Sequence, residues 1–482
     1  LRLAELAKRI QDIKVIGNDD IEVKFPRCNS KKIQNGDLFC AITGQTFDGN
    51  KFINEAIENG AVSIMTSNRN IEAPVPLLLI DDVRTGMAHA SHALYNDPTN
   101  RIELTGITGT NGKTTCVNLL YSVFKALEMN PGRIGTLGWE LDGKTEALNH
   151  TTPEAPDLLE LISSMVEEEA THVIMEVTSI AIAMKRVEGF KFNAGLFTNL
   201  TQDHLDFHGS MPVYFQAKKR FFEMLPSHGV AVANGDDSAG LQMLKGIRAD
   251  KVTFGFDAKW NVWGNIQELT SNGIKLKVGG DFGELEINSP LIGHFNAENL
   301  LGVTALCLAL DVDKQAIKSG LETAPQVRGR MERIPLDGAV TAIIDYAHTP
   351  DAIRNVLQTL KPITGNKLSI VFGAGGDRDR AKRPLMAEAA CELADRVYIT
   401  SDNPRSEDPG KIVEDILEGT QRKDVNVIVD RRSAIKTAIE EAETGDIVLV
   451  AGKGHENYQI IDNTKFHFDD REEVLKLRKV IE

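Results

Sequence analysis

The chain has 482 residues, of which 42% are hydrophobic and 26% charged, and a formal net charge of −15. This is the make-up of a soluble globular protein with room for about three domains. No uninterrupted apolar run approaches the roughly 18 residues of a membrane helix, and the acidic balance argues against a sequence-independent grip on nucleic acid, which needs a basic footprint.

The N-terminal stretch LRLAELAKRIQDIKV is charged throughout and has no apolar core, so it does not read as a secretory signal. Residues 1–98 mix short strands and helices: NGDLFCAITG alternates like a strand running into a turn, and KFINEAIENGA has helical spacing. From residue 99 the strand-like runs IELTGIT, THVIMEVTS, AGLFTNL and GVAVANGDD are separated by helical stretches such as TTCVNLLYSVFKAL. That alternation predicts a mostly parallel sheet covered by helices. Between 252 and 290, alternating residues broken by glycine turns suggest a small antiparallel insertion. Past APQVRGRMERI a second series begins, with strands TAIIDY, LSIVFGAGG, RVYITSD, VNVIVD and DIVLVAG, each followed by a helical run. The expected architecture is therefore α/β with three parts: a smaller N-terminal domain (1–98), a central phosphate-loop domain (99–328) and a C-terminal Rossmann-like domain (329–482). Five scattered cysteines without a C-x-x-C pair suggest buried, reduced thiols in a cytoplasm.

GITGTNGKTT (106–115) has the placing of a phosphate loop, after a strand and at the start of a helix, but not the usual G-x-x-x-x-G-K-[ST] spacing. Its glycines would let backbone N–H groups close on phosphate oxygens, helped by the helix dipole. Lys113 would offset the β- and γ-phosphates of ATP, and Thr114 would reach a magnesium ion. A chance glycine-rich turn is the competing reading. Glu176 ends a strand, where α/β sheets hold ligands. TNLTQDHLDFHGS places His204 and His208 four apart, a metal-pair spacing, yet no cysteine partner or H-E-x-x-H accompanies them, so magnesium beside ATP is favoured over zinc.

In the last part GAGGDRDRAKRP, SDNPRSEDP and AGKGHENYQ each follow a strand, putting Arg378, Asn403, Arg405 and Glu456 at neighbouring strand ends. Any one of these is most simply a solvated loop. Together they suggest a polar pocket whose two guanidiniums and one carboxylate suit an amino acid.

The ordered set TGTNGKTT, NHTTPEA, MEVTSI, FTNLTQDHLDFHG, YFQAK, HFNAEN, DYAHTPDA, GGDRDRAKRP, SDNPRSEDP and GKGHE resembles the Mur ligases over nearly the whole chain. The resemblance implies an ATP-dependent amide ligase of peptidoglycan precursor synthesis that activates a carboxylate as an acyl phosphate. It implies ATP contacts from Gly109, Thr110, Asn111, Gly112, Lys113, Thr114 and Thr115, joined by Arg330, Asp345 and His348. It makes Glu176 and His204 magnesium ligands together with Thr114 and a carbamylated Lys218, and makes Lys113, Lys218, Glu176 and His204 the catalytic set. Ser30 with Gln45, Thr46 and Phe47 would hold the UDP part of a UDP-N-acetylmuramoyl dipeptide, and Thr151, Thr152, Thr178 and Arg186 the dipeptide part. Arg378, Asp402, Asn403, Pro404, Arg405, Gly452 and Glu456 would take meso-diaminopimelate. A monomer is expected. The family's usual D-S-R reads Asn29-Ser30-Lys31 here, and Ile180 stands where the family has a histidine. An L-lysine-adding relative, a folylpolyglutamate synthetase-like ligase and a regulatory phosphate-loop protein remain as alternatives.

Overall fold

The computed structural model describes residues 1–44 and 48–478, and these divide into two compact units. The first comprises Leu1–Gly264, Val278–Leu285 and Asn299–Leu321; the second comprises Asn265–Lys277, Glu286–Glu298 and Glu322–Glu482.

The first unit holds a five-stranded sheet near the N-terminus, ordered Lys14–Ile16, Leu77–Leu79, Ser63–Thr66, Leu38–Ala41 and Pro26–Arg27. All its pairs are parallel except the one made by Lys14–Ile16. All four residues of Leu38–Ala41 are buried because apolar clusters cover both faces of the sheet. The alternation expected for this strand is absent, since a parallel strand with both faces covered has no polar side.

The main sheet is built outward from Glu103–Thr108, which pairs in parallel with His172–Glu176 on one side and Ala194–Phe197 on the other. Val230–Asn234 and Asp250–Gly255 continue it in parallel. Asp250–Gly255 also pairs in parallel with the start of Val262–Thr270, so the region expected as a small antiparallel insertion begins as an extension of this sheet. At the other edge Gly138–Leu141 and Lys144–Glu146 follow Pro131–Gly135 in antiparallel pairing. The helix Lys113–Ala126 follows the central strand, as the sequence predicts.

The second unit carries a six-stranded sheet ordered Glu332–Pro335, Thr341–Asp345, Ile447–Ala451, Leu368–Phe372, Arg396–Ile399 and Asn426–Val427. Only the first pair is antiparallel. The five strands read from sequence are present, sandwiched between two apolar clusters. The last of them in the chain, Ile447–Ala451, inserts between the first two, which brings its following loop beside Asp345. Two elements were not anticipated: the edge strand Glu332–Pro335 and the hairpin Tyr458–Ile461/Thr464–His467, which precedes the final helix. Among the described residues no helix is long and apolar enough to cross a membrane.

Candidate active site

Parallel strands end at one edge of a sheet, and in the first unit Thr108, Glu176 and Phe197 end adjacent strands in register. The loop after Thr108 turns through Gly109 (φ 151°) and Gly112 (φ 85°), backbone angles that suit glycine. A Cβ at Gly109 would collide with Thr198 Oγ1, and one at Gly112 with Asn299 Oδ1. The neighbouring loop braces this turn: Thr198 Oγ1 donates to Asn111 O at 2.6 Å, Asn199 Oδ1 accepts from Asn111 N at 2.9 Å, and Thr110 N donates to Asn199 O at 2.8 Å. Lys113 Nζ folds back to donate to Gly109 O (2.9 Å) and Thr110 O (2.7 Å).

Lys218 enters the same turn from the helix Met211–Glu223. It is 1% exposed, donates to Gly109 O at 2.7 Å, and lies 4.5 Å from the centre of the Tyr214 ring, whose hydroxyl shares a hydrogen bond with Thr110. Burial, with the nearby Lys113 charge, pushes its pKa well below the ordinary lysine value. Burial of this kind favours the neutral amine over the ammonium.

Glu176 is buried and oriented on all sides. Its Oε1 accepts from Thr114 Oγ1 (2.9 Å) and Thr136 N (2.8 Å), and its Oε2 accepts from Thr136 Oγ1 (3.2 Å). Gly135 leaves the carboxylate room, because a Cβ there would strike Oε1. Thr152 Oγ1 donates to Glu176 O at 2.8 Å and accepts from Thr178 N at 3.3 Å. Arg186 donates to Thr152 O at 3.0 Å and pairs with Glu154, which also pairs with Arg84. Thr151 shares a hydrogen bond with Thr136. Thr114 of the phosphate loop and Thr151, Thr152, Thr178 and Arg186 of the dipeptide segments thus form one network around Glu176.

In the second unit the loops after three neighbouring strands converge. Asn403 Nδ2 donates to Glu456 Oε2 at 2.9 Å, Arg405 Nη1 to Gly376 O at 2.6 Å, and Gly376 N to Asn403 O at 2.9 Å. Gly452 (φ 118°) donates to Asp345 O, and a Cβ on it would press against Asp402 Oδ2. Arg405 itself sits at φ 54°, tied through its backbone to Ile460 and Asp462 of the unforeseen hairpin.

The Mur ligase family domains match this chain in order: the family's catalytic domain over residues 22–96, its middle domain over 107–307, and its glutamate ligase domain over 329–454. The chain belongs to the Mur ligase family. Curated relatives include two UDP-N-acetylmuramoyl-L-alanyl-D-glutamate–2,6-diaminopimelate ligases. That of Bacteroides fragilis is 40% identical over 483 residues, covering 99% of both chains, and that of Gloeobacter violaceus is 42% identical over 459 residues, covering 94% of this chain and 93% of its own. A solved ligase of the same name superimposes with a TM-score of 0.73 at 32% identity, covering 99% of this chain and 98% of that one. Folylpolyglutamate synthase of Mycobacterium tuberculosis shares the fold alone, with a TM-score of 0.63 at 19% identity over 76% of this chain and 91% of its own.

Other residues singled out in this Mur ligase sequence lie as follows. His204 is exposed, in a left-handed backbone conformation (φ 51°), with Nε2 3.4 Å from Asp203 Oδ2. Its ring meets that of Tyr214 edge-on at 6.2 Å, which places it by the phosphate loop; partial desolvation and the charges of Lys113 and Lys218 lower its pKa, and no hydrogen bond joins it to Glu176. It precedes the four-residue helix Leu205–His208 as its N-cap, and His208 is buried and bonded to Ser179 Oγ at 3.0 Å. The two histidines therefore make no helical metal pair, and among the described residues no trio of His, Cys, Asp or Glu is placed to hold a metal. Ser30 is buried and donates to Glu55 at 2.8 Å, while Gln45, Thr46 and Phe47 lie outside the described residues. Thr115 is buried in the first turn of its helix. Asp345, buried, accepts from Met331 N and Ala347 N; burial raises its pKa against the opposing pull of Arg330. Arg330 lies over the Tyr346 ring at 4.8 Å, and His348 packs on the same ring, centroids 4.5 Å apart, with its pKa lowered by desolvation. Arg378 is exposed. Pro404 is buried, as are Asp402 and Asn403. Of the cysteines, Cys40, Cys116 and Cys307 are buried, but Cys28 and Cys391 only partly so, and all five are free thiols.

Sequence reasoning passed over several residues that shape these sites. Thr136 and Gly135 orient Glu176 from a strand end that carried no signal of its own. Lys453 lies within GKGHE, between two residues that were noted. It is fully buried and reaches Asn403 Oδ1 (3.3 Å), Glu456 (3.6 Å) and Asp402 (4.0 Å). Arg431, also fully buried, makes a two-pronged pair with Asp470 (2.7 Å for both bonds) and donates to Ser401 O and Ala451 O, the strand ends that carry two of the converging loops.

Proposed function

We propose that this Mur ligase uses ATP to join meso-2,6-diaminopimelate to the D-glutamyl carboxylate of UDP-N-acetylmuramoyl-L-alanyl-D-glutamate, the substrates named for its curated relatives. The observation that carries the reading is the network around Glu176, which links phosphate-loop Thr114 to the threonines of the dipeptide segment by hydrogen bonds of 2.8–3.2 Å. ATP phosphorylates the substrate carboxylate, giving an acyl phosphate and ADP. The amine of the incoming amino acid attacks that carbonyl, and phosphate leaves the tetrahedral intermediate as the amide forms. Lys113 offsets charge on the phosphoryl group in flight, so the protein acts by positioning and electrostatics.

The Thr114 hydroxyl and the Glu176 carboxylate are hard oxygen donors of the kind Mg²⁺ prefers, and with His204 and Lys218 they would hold the ion. When bound, Mg²⁺ supplies positive charge to the phosphate oxygens. An ammonium on Lys218 would oppose that ion. A neutral amine adds to CO₂ to give a carbamate, losing a proton and gaining an anionic oxygen, and the burial of Lys218 favours this route. Arg330, Asp345 and His348 are candidate nucleotide contacts. Ser30 with Gln45–Phe47 are candidate UDP contacts, and Arg378, Asp402–Arg405, Gly452 and Glu456 candidate contacts to diaminopimelate. The proposed division is three domains, 1–98, 99–328 and 329–482, working as a cytoplasmic monomer.

The test is ATP-dependent coupling of the UDP-muramoyl dipeptide with a panel of amino acids, read by phosphate release and by product mass. Diaminopimelate should be preferred over L-lysine. Phosphate release indifferent to every amino acid would leave a regulatory phosphate-loop protein as the better reading.

A further inference from the structure

Two loops of the proposed amino-acid pocket, 373–380 and 400–408, follow the adjacent strands Leu368–Phe372 and Arg396–Ile399. The first carries Arg378, the second Asn403 and Arg405. They approach too closely for side chains to fit between them: a Cβ on Gly376 would collide with Pro404 O, and one on Gly375 would press on Arg405 Nη1. Glycine gives the first loop freedom to make this approach but none of the stiffness to keep it.

The stiffness comes from a buried ion pair. Arg383, in the first turn of the helix Lys382–Leu393, is 1% exposed. Its Nη1 donates to Glu407 Oε2 at 3.1 Å and its Nη2 to Glu407 Oε1 at 2.8 Å, a two-pronged pair. The same guanidinium donates to Gly375 O (3.3 Å) on the first loop and to Asp415 Oδ2 (2.7 Å) on the helix Pro409–Leu417. Glu407, on the second loop, ties back to the first by accepting from Asp377 N at 2.6 Å and pairing with Arg380 at 2.8 Å. Asp377 in turn accepts from Ser406 Oγ (2.7 Å) and Ser406 N (3.2 Å). Arg378 directly follows Asp377 and Arg405 directly precedes Ser406, so both guanidiniums proposed for the ligand stand next to a clamped residue. The bonds from Arg383, then that from Asp377 N, hold the Glu407 carboxyl down to about 2, which keeps it anionic at any pH where the ligase works.

We propose that Arg383 and Glu407 are positioning residues for the incoming amino acid, setting the separation of the loops that present Arg378 and Arg405 without contacting the ligand themselves. The inference rests on the proposed diaminopimelate pocket. A guanidinium gains from parallel bonds to a carboxylate only while its fork is aimed at it. Diaminopimelate should therefore depend on the clamp more than L-lysine does, since L-lysine offers no distal carboxylate.

The experiment measures initial rates of the full chain with diaminopimelate, ATP and the UDP-muramoyl dipeptide each varied in turn. The wild type is first shown to couple diaminopimelate, so a failure of the proposed reaction appears there and a failure of this inference only in the variants. Glu407→Gln keeps the shape but loses the charge and one acceptor. It should raise KM for diaminopimelate by about tenfold, since a misplacement of about 1 Å can cost on the order of a hundredfold, and leave KM for ATP and the dipeptide unchanged. The preference for diaminopimelate over L-lysine should fall with it. Asp377→Asn, at an exposed position whose φ of 54° suits asparagine, should act in the same direction more weakly, and it decides the matter if Glu407→Gln does not fold. A pair that only stabilised the domain would lower the melting temperature and kcat with all three KM values held. That outcome, or an equal rise in all three KM values, would overturn the proposal.

Discussion

Replacing Lys218 by methionine should silence ligation without loosening the fold. The side chain is 1% exposed and its amine donates to Gly109 O at 2.7 Å. Methionine has similar length and no charge. It leaves no orphaned carbonyl, because Gly109 O keeps the bond from Lys113 Nζ at 2.9 Å. The variant loses one hydrogen bond, about 0.5–1.5 kcal/mol net. It also no longer forces a group that is an ammonium in the unfolded chain to shed its charge on burial, which offsets that loss. The two effects oppose one another, so the melting temperature should fall by no more than about 4 °C, at about 2–4 °C for each kcal/mol. Turnover should fall by about a hundredfold or more, as when one preorganised electrostatic group is removed. Thermal melts and coupled phosphate release, both with saturating ATP and Mg²⁺ in the activity arm, measure the two effects. A melting point lowered by more than about 4 °C would make Lys218 a structural residue, and near-normal turnover would remove it from the site.

Lys113→Ala should abolish ligation and leave the melting curve in place; a folded variant with ordinary turnover would sink the ATP assignment. Arg405→Ala should lower kcat/KM for diaminopimelate more than for L-lysine, because only the former has a distal carboxylate for the guanidinium. Since Arg405 is only half-buried, the low end of the usual 2–5 kcal/mol applies, about thirty-fold, and equal losses on both amino acids would refute it. His455 is held at about 4 by burial and by the Arg330 and Arg328 charges, against an ordinary value of 6.5. The unfolded imidazole therefore binds a proton that the native one refuses, so stability should fall as pH drops from 6.5 towards 4. Melts across that range should show a shallower slope for His455→Asn, and an unchanged slope would show that His455 does not carry it.

Much of the fold was legible because its strands are short apolar runs punctuated by glycine and polar loops, and the loops carry the chemistry. GTNGKTT reads as a phosphate loop since only glycine serves at Gly109 and Gly112. What escaped was support that has no local signature. Thr136 holds Glu176 through a backbone N–H that any residue could offer, and the clearance at Gly135 is visible only once Glu176 is placed beside it. Arg431 and Asp470 are 39 positions apart, and only the insertion of Ile447–Ala451 into the middle of its sheet brings them together. The metal-pair spacing of His204 and His208 misled for the opposite reason. Four residues apart marks one helix face only if both residues lie in the helix, and His204 is its cap.

The two lysines that meet at the phosphate loop explain why it can hold its shape before and after a nucleotide arrives. Both donate to Gly109 O, and Lys113 also donates to Thr110 O. These are bonds to neutral acceptors, worth about 0.5–1.5 kcal/mol net, whereas a bond to a charged group is worth about 1.5–3. A phosphate therefore draws Lys113 off the carbonyls by roughly 1 kcal/mol per exchanged bond. Gly109 O is not stranded by that exchange, because Lys218 remains on it. Carbamylation would not undo this, since a carbamate nitrogen retains one N–H to donate while its new oxygens take up a negative charge. On this reading Lys218 has two separable tasks: its N–H holds the loop, and its acquired carboxylate serves the ion. Methionine removes both, and the loop survives the first loss only because Lys113 is free to return to Gly109 when no phosphate is bound.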